Sequence, residues 1–291
     1  MKKIVILGCE NSHADTFLGF IKNDPKFADL EVSGIYSDEE AAAKNLAEKY
    51  GVKIMKSFDE AYGKVDGVVV TARHGDNHYK YAAPYIKSGV PMFIDKPISV
   101  SESDALKLAR ECKAAGVKLT GGSTCVHDEF VQKLKRDREE NFNGKTLSGF
   151  VRCPINLKND YGDFFFYSEH LVGILSTIFG FYPESVKAYK NAEKITVVFR
   201  YKDYDVTGLY VDRNNLYYAM RVAENGVCGE ELSITDSNPC FKVEFSEFYG
   251  LLGGGNQRLS YEDFIAPVFV LNAIKKSLDS GEEVSVNKFE I

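Results

Sequence analysis

Short apolar runs alternate with helical stretches over the first 121 residues of the chain. Most runs are apolar at nearly every position, which is typical of strands covered on both faces in a parallel sheet. Between them, Glu39–Tyr50 reads as a helix that ends at Gly51. Ser101 and Asp104 resemble a capping box before a helix over Ala105–Ala115. The five predicted strands are Lys3–Leu7, Leu30–Tyr36, Gly67–Thr71, Pro91–Ile94 and Val117–Thr120. The pattern predicts an α/β domain with a doubly wound parallel sheet.

From Leu147 onward the pattern changes to longer strands in which apolar and polar residues alternate. Asn225-Gly226 and the segment 202–205 read as turns, so neighbouring strands should run antiparallel. The clearest predicted strands are Ile195–Tyr201, Val206–Val211 and Leu216–Ala223. We therefore predict two domains, with an α/β domain over residues 1–121 and an α+β domain with a mainly antiparallel open sheet over residues 122–291.

Composition excludes several classes of protein. Hydrophobic residues at 44% and charged residues at 27% of the 291 positions are typical of a soluble globular protein. The net charge of −6, without a long basic run, argues against a general nucleic-acid surface. No apolar run reaches the roughly 18 residues that span a bilayer, and no signal peptide is evident, so we expect a cytoplasmic protein. The six scattered cysteines should be free thiols.

Lys96 emerges where the buried strand Pro91–Ile94 ends, and Pro97 restrains its backbone. In an open parallel sheet the ligand crevice lies outside the carboxyl ends of the strands. A lysine there can donate hydrogen bonds to a substrate hydroxyl or carbonyl. The alternative is an ordinary surface lysine.

The first strand runs directly into Gly8, where a nucleotide-binding domain holds a pyrophosphate against a helix start. The usual G-x-G-x-x-G is incomplete, since Glu10 and His13 stand at its second and third glycines. Glu10 should repel phosphate unless it is turned away. Asn11, Ser12 and His13 offer donor groups instead. The alternative is a plain strand-to-helix turn.

Acidic residues follow the second strand, where a dinucleotide enzyme reads the adenosine ribose. Ser37 stands at the first position after this strand and suits either NAD or NADP. Asp38 and the two glutamates after it, however, would repel the 2′-phosphate of NADP. We therefore favour NAD over NADP as the cofactor. The alternative is an acidic first turn that complements a helix dipole.

The chain resembles the Gfo/Idh/MocA family, the glucose-fructose oxidoreductases and inositol dehydrogenases. Its Asp95, Lys96 and Pro97 match the family's Glu-Lys-Pro strand end, and Val65–Val68 matches the preceding strand motif. The resemblance implies an N-terminal Rossmann domain for NAD(H) or NADP(H) and a C-terminal domain whose sheet often forms dimers or tetramers. It also implies cofactor contacts near the third strand, at Thr71, Arg73 and His78.

Family members also carry Asp-x-x-x-His at a helix start in the second domain. His170 matches the histidine, whereas Phe166 replaces the aspartate. His170 stands before an apolar helical stripe that stops at Gly180. If that helix reaches back far enough, Tyr167 and Asp163 share a face with His170 and tune it in place of the lost aspartate. By itself, a histidine beside an apolar stripe is more often structural.

The sequence thus predicts a nicotinamide-dependent oxidoreductase acting on a sugar, cyclitol or related polyhydroxylated molecule. His170 would take the substrate proton and Lys96 would orient or polarise the same oxygen. We predict no metal site, because neither His74 with His78 nor the segment 125–129 offers convincing ligand spacing. The apolar sheet of the second domain suggests a homodimer or homotetramer. The rival is a family member without turnover that binds a nucleotide or sugar for regulation.

Overall fold

The computed structural model describes residues 1–234 and 239–291, which form two compact units. One unit consists of Met1–Gly122, Phe241–Phe264 and Ile291, and the other of Ser123–Cys240 and Ile265–Glu290. The N-terminal segment of the first unit ends at Gly122, one residue after the boundary that the sequence predicts. The sequence assigns residues 241–264 to the second domain, but in the structure they pack within the first unit. The physical reason is aromatic packing, because the Phe245 ring stacks on Phe17 at a centroid distance of 4.6 Å.

The first unit contains a five-stranded sheet in which every pairing is parallel. The strand order is β2-β1-β3-β4-β5, so the chain reverses direction across the sheet beside β1. The strands are β1 (Lys2–Leu7), β2 (Leu30–Tyr36), β3 (Gly67–Val70), β4 (Met92–Asp95) and β5 (Leu119–Gly122). Each lies within two residues of its predicted bounds. The doubly wound Rossmann-type sheet is confirmed.

Helices follow these strands, and local sequence signals fix their ends. Ser101 accepts a hydrogen bond from the Asp104 amide at 3.3 Å, as the capping prediction requires. Gly51 and Gly116 end their helices in the left-handed conformation that glycine adopts without a Cβ penalty. The helices are α1 (Ser12–Asn23), α2 (Glu40–Tyr50), α3 (Asp76–Ile86) and α4 (Glu102–Ala115).

The second unit is built on a seven-stranded sheet with the order β11-β10-β6-β9-β8-β7-β12. β6 and β9 pair in parallel, and the other pairs are antiparallel. The strands are β6 (Thr146–Ile155), β7 (Ser185–Asn191), β8 (Lys194–Arg200), β9 (Asp205–Asp212), β10 (Tyr217–Ala223), β11 (Gly226–Leu232) and β12 (Val284–Ser285). The predicted mainly antiparallel sheet is confirmed.

One face of this sheet packs against helix α6 (Phe164–Phe179), which is buried along most of its length. Two glycines allow the close approach. A Cβ at Gly149 would lie 2.1 Å from the ring of Phe179, and one at Gly208 would lie 2.9 Å from Leu171. The remaining helices are α5 (Glu129–Glu139), α6 (Phe164–Phe179), α7 (Pro239–Leu252) and α8 (Tyr261–Ser280). Within the described residues, no helix combines the length and apolar character needed to cross a membrane.

Candidate functional site

The turn after β1 is held tightly against the segment that follows β3. Gly8 has φ +75°, and a Cβ there would lie 2.4 Å from the backbone of Ala72. The Thr71 hydroxyl donates a hydrogen bond to the Gly8 carbonyl at 3.0 Å. Only glycine fits this position. Thr71, predicted as a cofactor contact, is fully buried and supports the turn from below.

A helix begins directly beyond this turn. Ser12 opens α1, and the Asn11 side chain accepts a hydrogen bond from the Ser12 amide at 2.8 Å. The Asn11 amide nitrogen donates to Asp95 at 2.7 Å, which ties the turn to the end of β4. The N-terminal end of a 12-residue helix carries partial positive charge and favours an anion such as a pyrophosphate.

Glu10 is fixed by the ends of two strands. One carboxylate oxygen accepts a hydrogen bond from Ser37 Oγ at 2.6 Å, and the other accepts one from the Arg73 amide at 2.9 Å. Ser37 is 7% exposed and follows β2, whereas Arg73 follows β3. A carboxylate can accept about four hydrogen bonds, so Glu10 keeps acceptor capacity after these two. The structure therefore places a carboxylate at the end of β2.

Asp38, the carboxylate expected to read the ribose, is already engaged. It accepts hydrogen bonds from the Tyr36 and Tyr81 hydroxyls, each at 2.7 Å, and from Lys80 at 3.2 Å. The Tyr36 hydrogen bond is the largest of several that lower the pKa of Asp38, and it raises the pKa of Tyr36 to about 12. Three donors leave Asp38 little capacity for a ribose hydroxyl.

Lys96 lies directly after β4, at the carboxyl edge of the parallel sheet. Its side chain is almost entirely buried, with 4% exposure for the residue. The Lys96 amide donates to a carboxylate oxygen of the fully buried Asp95 at 2.7 Å, and the peptide bond to Pro97 is cis. A buried lysine at a strand end differs from the ordinary surface lysine that the sequence left open.

His13 lies in a buried group with two carboxylates. Its Nδ1 is 3.2 Å from Asp95 and its Nε2 is 3.5 Å from Glu244, and both carboxylates are fully buried. Burial disfavours the charged ring, but Asp95 and Glu244 outweigh it and raise the pKa of His13. Glu244 comes from α7, so no local sequence pattern pointed to it.

His78, predicted as a cofactor contact, lies in the first turn of α3. It has no exposed surface, and its Nε2 donates to the Ala72 carbonyl at 2.8 Å. Burial lowers the pKa of His78 and favours the neutral ring. Its hydrogen bond holds the segment after β3 against which Gly8 packs. The ring is enclosed by protein in this structure, and the cofactor contact of His78 stays a prediction.

His170 lies in the second turn of α6 and is 5% exposed. Its Nδ1 is 2.8 Å from Ser123 Oγ and 3.4 Å from Cys125 Sγ. When Nδ1–H donates to Ser123, Nε2 remains as the basic nitrogen. Ser123 is not among the residues predicted from sequence, although its position directly after β5 corresponds to that of Lys96 directly after β4.

Tyr167 and Asp163, the two residues expected to tune His170, differ in their position relative to α6. The Tyr167 ring packs edge-on against the His170 ring at a centroid distance of 4.8 Å. Asp163 does not share the helix face, because α6 begins at Phe164 and Asp163 has φ +49°. Its carboxylate accepts a hydrogen bond from the Asn159 amide at 3.1 Å. The helix does not reach back to Asp163, which was the condition for a face shared with His170.

The family comparison agrees with the first unit. The GFO_IDH_MocA model, the oxidoreductase family with the NAD-binding Rossmann fold, matches residues 2–123. The predicted resemblance is confirmed for these residues, and the matching family is described as oxidoreductases with an NAD-binding Rossmann fold. No curated protein matches the chain by sequence.

Solved structures extend the likeness over the whole chain. A myo-inositol dehydrogenase from Corynebacterium glutamicum is 17% identical with a TM-score of 0.81, covering 99% of this chain and 100% of its own. A scyllo-inositol dehydrogenase from Lactobacillus casei, solved with NAD(H) and scyllo-inositol, is 14% identical with a TM-score of 0.83, covering 98% and 99%. A myo-inositol 2-dehydrogenase from Lactobacillus plantarum is 12% identical with a TM-score of 0.85, covering 98% and 99%. At these identities the likeness establishes the fold.

Proposed function

We propose that the chain is an NAD-dependent dehydrogenase or reductase that transfers hydride between nicotinamide and a sugar, cyclitol or related polyhydroxylated small molecule. The observation that carries the proposal is the buried Lys96 at the carboxyl edge of a sheet that matches an NAD-binding oxidoreductase family. The solved inositol dehydrogenases support a polyol as the substrate class.

Two side chains carry the proposed chemistry. Bound nicotinamide accepts or donates the hydride, and the protein must orient the substrate and handle one proton. We assign proton transfer to His170, with Ser123 beside its Nδ1 and Tyr167 against its ring. Lys96 donates a hydrogen bond to the reacting oxygen and stabilises negative charge on it.

For the cofactor we propose that Glu10 replaces the usual acidic residue at the end of β2. The hydrogen bonds from Ser37 and Arg73 hold its carboxylate near the ribose position, where it can accept from both ribose hydroxyls. Gly8 and the start of α1 fit a pyrophosphate. The same negative charge opposes a 2′-phosphate, so we propose NAD as the cofactor, with NADP the weaker ligand.

The second candidate is a regulatory family member that binds a nucleotide or sugar without turnover. Glu10 and His13 favour it, because they replace two of the glycines through which the backbone usually approaches the pyrophosphate. The two candidates differ in turnover and not in fold. Recognition survives without proton transfer, so binding alone does not separate them.

The experiment is a titration of NADH and NADPH followed by nicotinamide fluorescence, which no tryptophan of this chain obscures. Saturable micromolar binding of NADH is expected, followed by cofactor reduction in a screen of polyols and sugars with NAD. Binding without reduction by any polyol or sugar favours the regulatory candidate. Absence of binding for both nucleotides contradicts the dehydrogenase proposal.

We further propose a cytoplasmic homodimer or homotetramer that forms through the outer face of the second sheet. All six cysteines are free thiols, as expected for a reducing compartment. Apolar side chains on the face away from α6 are only partly buried, and paired registers bring them together. They include Phe150, Val198, Leu209, Tyr218 and Met220. Light scattering on the wild type and Met220→Glu tests the assembly, and a monomeric wild type contradicts it.

A further inference from the structure

A cavity of about 390 Å³ opens in the second unit beside the first turns of α6. Its polar groups include amides, a phenol and two cations. The lining residues are Pro154, Ile155, Asn156, Lys158, Tyr167, Arg213, Asn214 and Asn215. The volume is suited to a small molecule such as a single sugar ring.

One of the amides has a fixed orientation. Asn214 Oδ1 accepts hydrogen bonds from Arg152 Nη2 at 2.8 Å and from the Leu216 amide at 3.0 Å. Because both bonds use the oxygen, the Asn214 NH₂ group remains to donate to a ligand. This is an arrangement that recognises a hydroxyl or carboxylate oxygen.

The two cations give the cavity a positive charge. Arg213 has φ +53°, and its amide donates to the Ile155 carbonyl at 3.2 Å, which anchors this strand end. Its guanidinium lies 3.9 Å from Asp212, whose carboxylate also accepts from the Leu157 amide. In the residues that the structure describes, the Lys158 ammonium has no carboxylate within ion-pair distance. No carboxylate is among the lining residues.

The cavity is also joined to the proposed proton-transfer residue. Tyr167 lines the cavity, and its ring packs against that of His170. A molecule held there therefore lies on the same side of α6 as the group assigned to proton transfer. Tyr167 thus lies between the cavity and the residue to which proton transfer is assigned.

We infer that the substrate is a polyol that carries an anionic group, a carboxylate or a phosphate ester, bound by Lys158 and Arg213. This inference rests on the proposed function and deepens it. The amides of Asn156, Asn214 and Asn215 bind the hydroxyl groups. Arginine pairs with carboxylate or phosphate through two parallel hydrogen bonds, and lysine adds a point charge.

The test is calorimetric binding to the full chain without nicotinamide. Matched probes are glucose, glucuronate and glucose 6-phosphate, with myo-inositol and a myo-inositol monophosphate as a second set. At least one anionic probe is expected to bind ten times more tightly than its neutral partner. Comparing glucuronate with glucose 6-phosphate distinguishes a carboxylate from a phosphate ester.

Two double variants make the result specific. Lys158→Gln with Arg213→Gln is expected to abolish the anionic preference, whereas Arg136→Gln with Lys202→Gln removes the same charge from exposed positions outside the cavity and should preserve it. The inference is overturned if no anionic probe binds better than its neutral partner, or if the preference survives the first double variant. Failure of NADH binding would instead contradict the proposed function, and this assay does not depend on it.

Discussion

The carboxylate of Glu10 accepts a hydrogen bond from Ser37 Oγ at 2.6 Å, so an acidic group from the loop after β1 reaches the end of β2. Ser37 occupies the position where dinucleotide-binding domains carry an acidic residue for the ribose. In the proposed function, Glu10 supplies the carboxylate at this position and Ser37 holds it there. The glutamate that departs from the glycine pattern would then serve cofactor binding.

Glu10→Gln is expected to weaken NADH binding about tenfold, because a neutral amide loses the charge-assisted hydrogen bonds to ribose hydroxyls. The preference for NADH over NADPH should narrow, since the opposing charge is removed. Fluorescence titration of both cofactors measures the two effects. Glu48→Gln, at an exposed position near the end of α2, is the control and should bind like the wild type. Tighter NADH binding by Glu10→Gln would show that Glu10 obstructs the cofactor.

Lys96→Ala and His170→Ala are each expected to lower turnover of a substrate found in the screen by about a hundredfold or more. His170→Ala should leave NADH affinity within twofold, because His170 lies outside residues 2–123, which match the model of the NAD-binding family. Steady-state rates and fluorescence titrations measure these effects. Lys44→Ala, at an exposed site in α2, should retain full activity. Normal turnover by either variant removes that residue from the chemistry.

Ser123→Ala removes the hydroxyl that lies 2.8 Å from His170 Nδ1. As a positioning residue, Ser123 should affect kcat more than KM, and we expect kcat to fall about tenfold while KM changes less than twofold. Ser176→Ala is the matched control, because this equally buried hydroxyl of α6 makes no hydrogen bond to the described residues. Equal changes in the two variants would indicate a packing effect.

The two buried histidines of the first unit should respond to pH in opposite directions. Asp95 and Glu244 raise the pKa of His13 above its usual value, against burial and the repulsion of Lys96. Protonated His13 therefore contributes to the free energy of unfolding. This contribution is fully present below the pKa of histidine in the unfolded chain, about 6.5, and is lost as the pH rises through the pKa of His13 in the folded protein. The stability difference between wild type and His13→Gln should shrink as pH increases.

Burial lowers the pKa of His78. The contribution of neutral His78 to the free energy of unfolding is therefore present above about pH 6.5 and is lost as the pH falls through the pKa of His78 in the folded protein. The stability difference between wild type and His78→Gln should therefore shrink as pH decreases. Urea unfolding of the three proteins between pH 5 and about 9 measures both slopes. If both stability differences changed with pH in the same direction, the assignment of a raised pKa to His13 and a lowered pKa to His78 would be contradicted.

Gly149→Ala tests the contact between α6 and the second sheet. The new methyl group would meet the Phe179 ring, which is 1% exposed, so we expect a loss of about 1–3 kcal/mol in the free energy of unfolding. Gly250→Ala is the control, because α7 leaves open space there and alanine favours helix by up to about 1 kcal/mol. Urea unfolding compares the two. A neutral Gly149→Ala would mean that Phe179 moves freely.

The sequence by itself determined the parallel sheet, the mainly antiparallel sheet and the strand-end position of Lys96. These features follow from local patterns, such as continuous apolar runs, alternation and capping residues, in which each signal lies within a few residues of its effect. The resemblance to the oxidoreductase family depended on the same local motifs around Asp95 and Lys96.

Only the tertiary structure decided the partners of the functional side chains. Glu244 reaches His13 from α7, Ser123 reaches His170 from the end of β5, and Glu10 bonds to Ser37 across two strands. Such contacts join positions far apart in the chain, and many polar residues are equally suited to form them. Their selection depends on the packing of whole elements, which brings specific polar atoms within hydrogen-bond distance in a buried space where an unpaired group is costly.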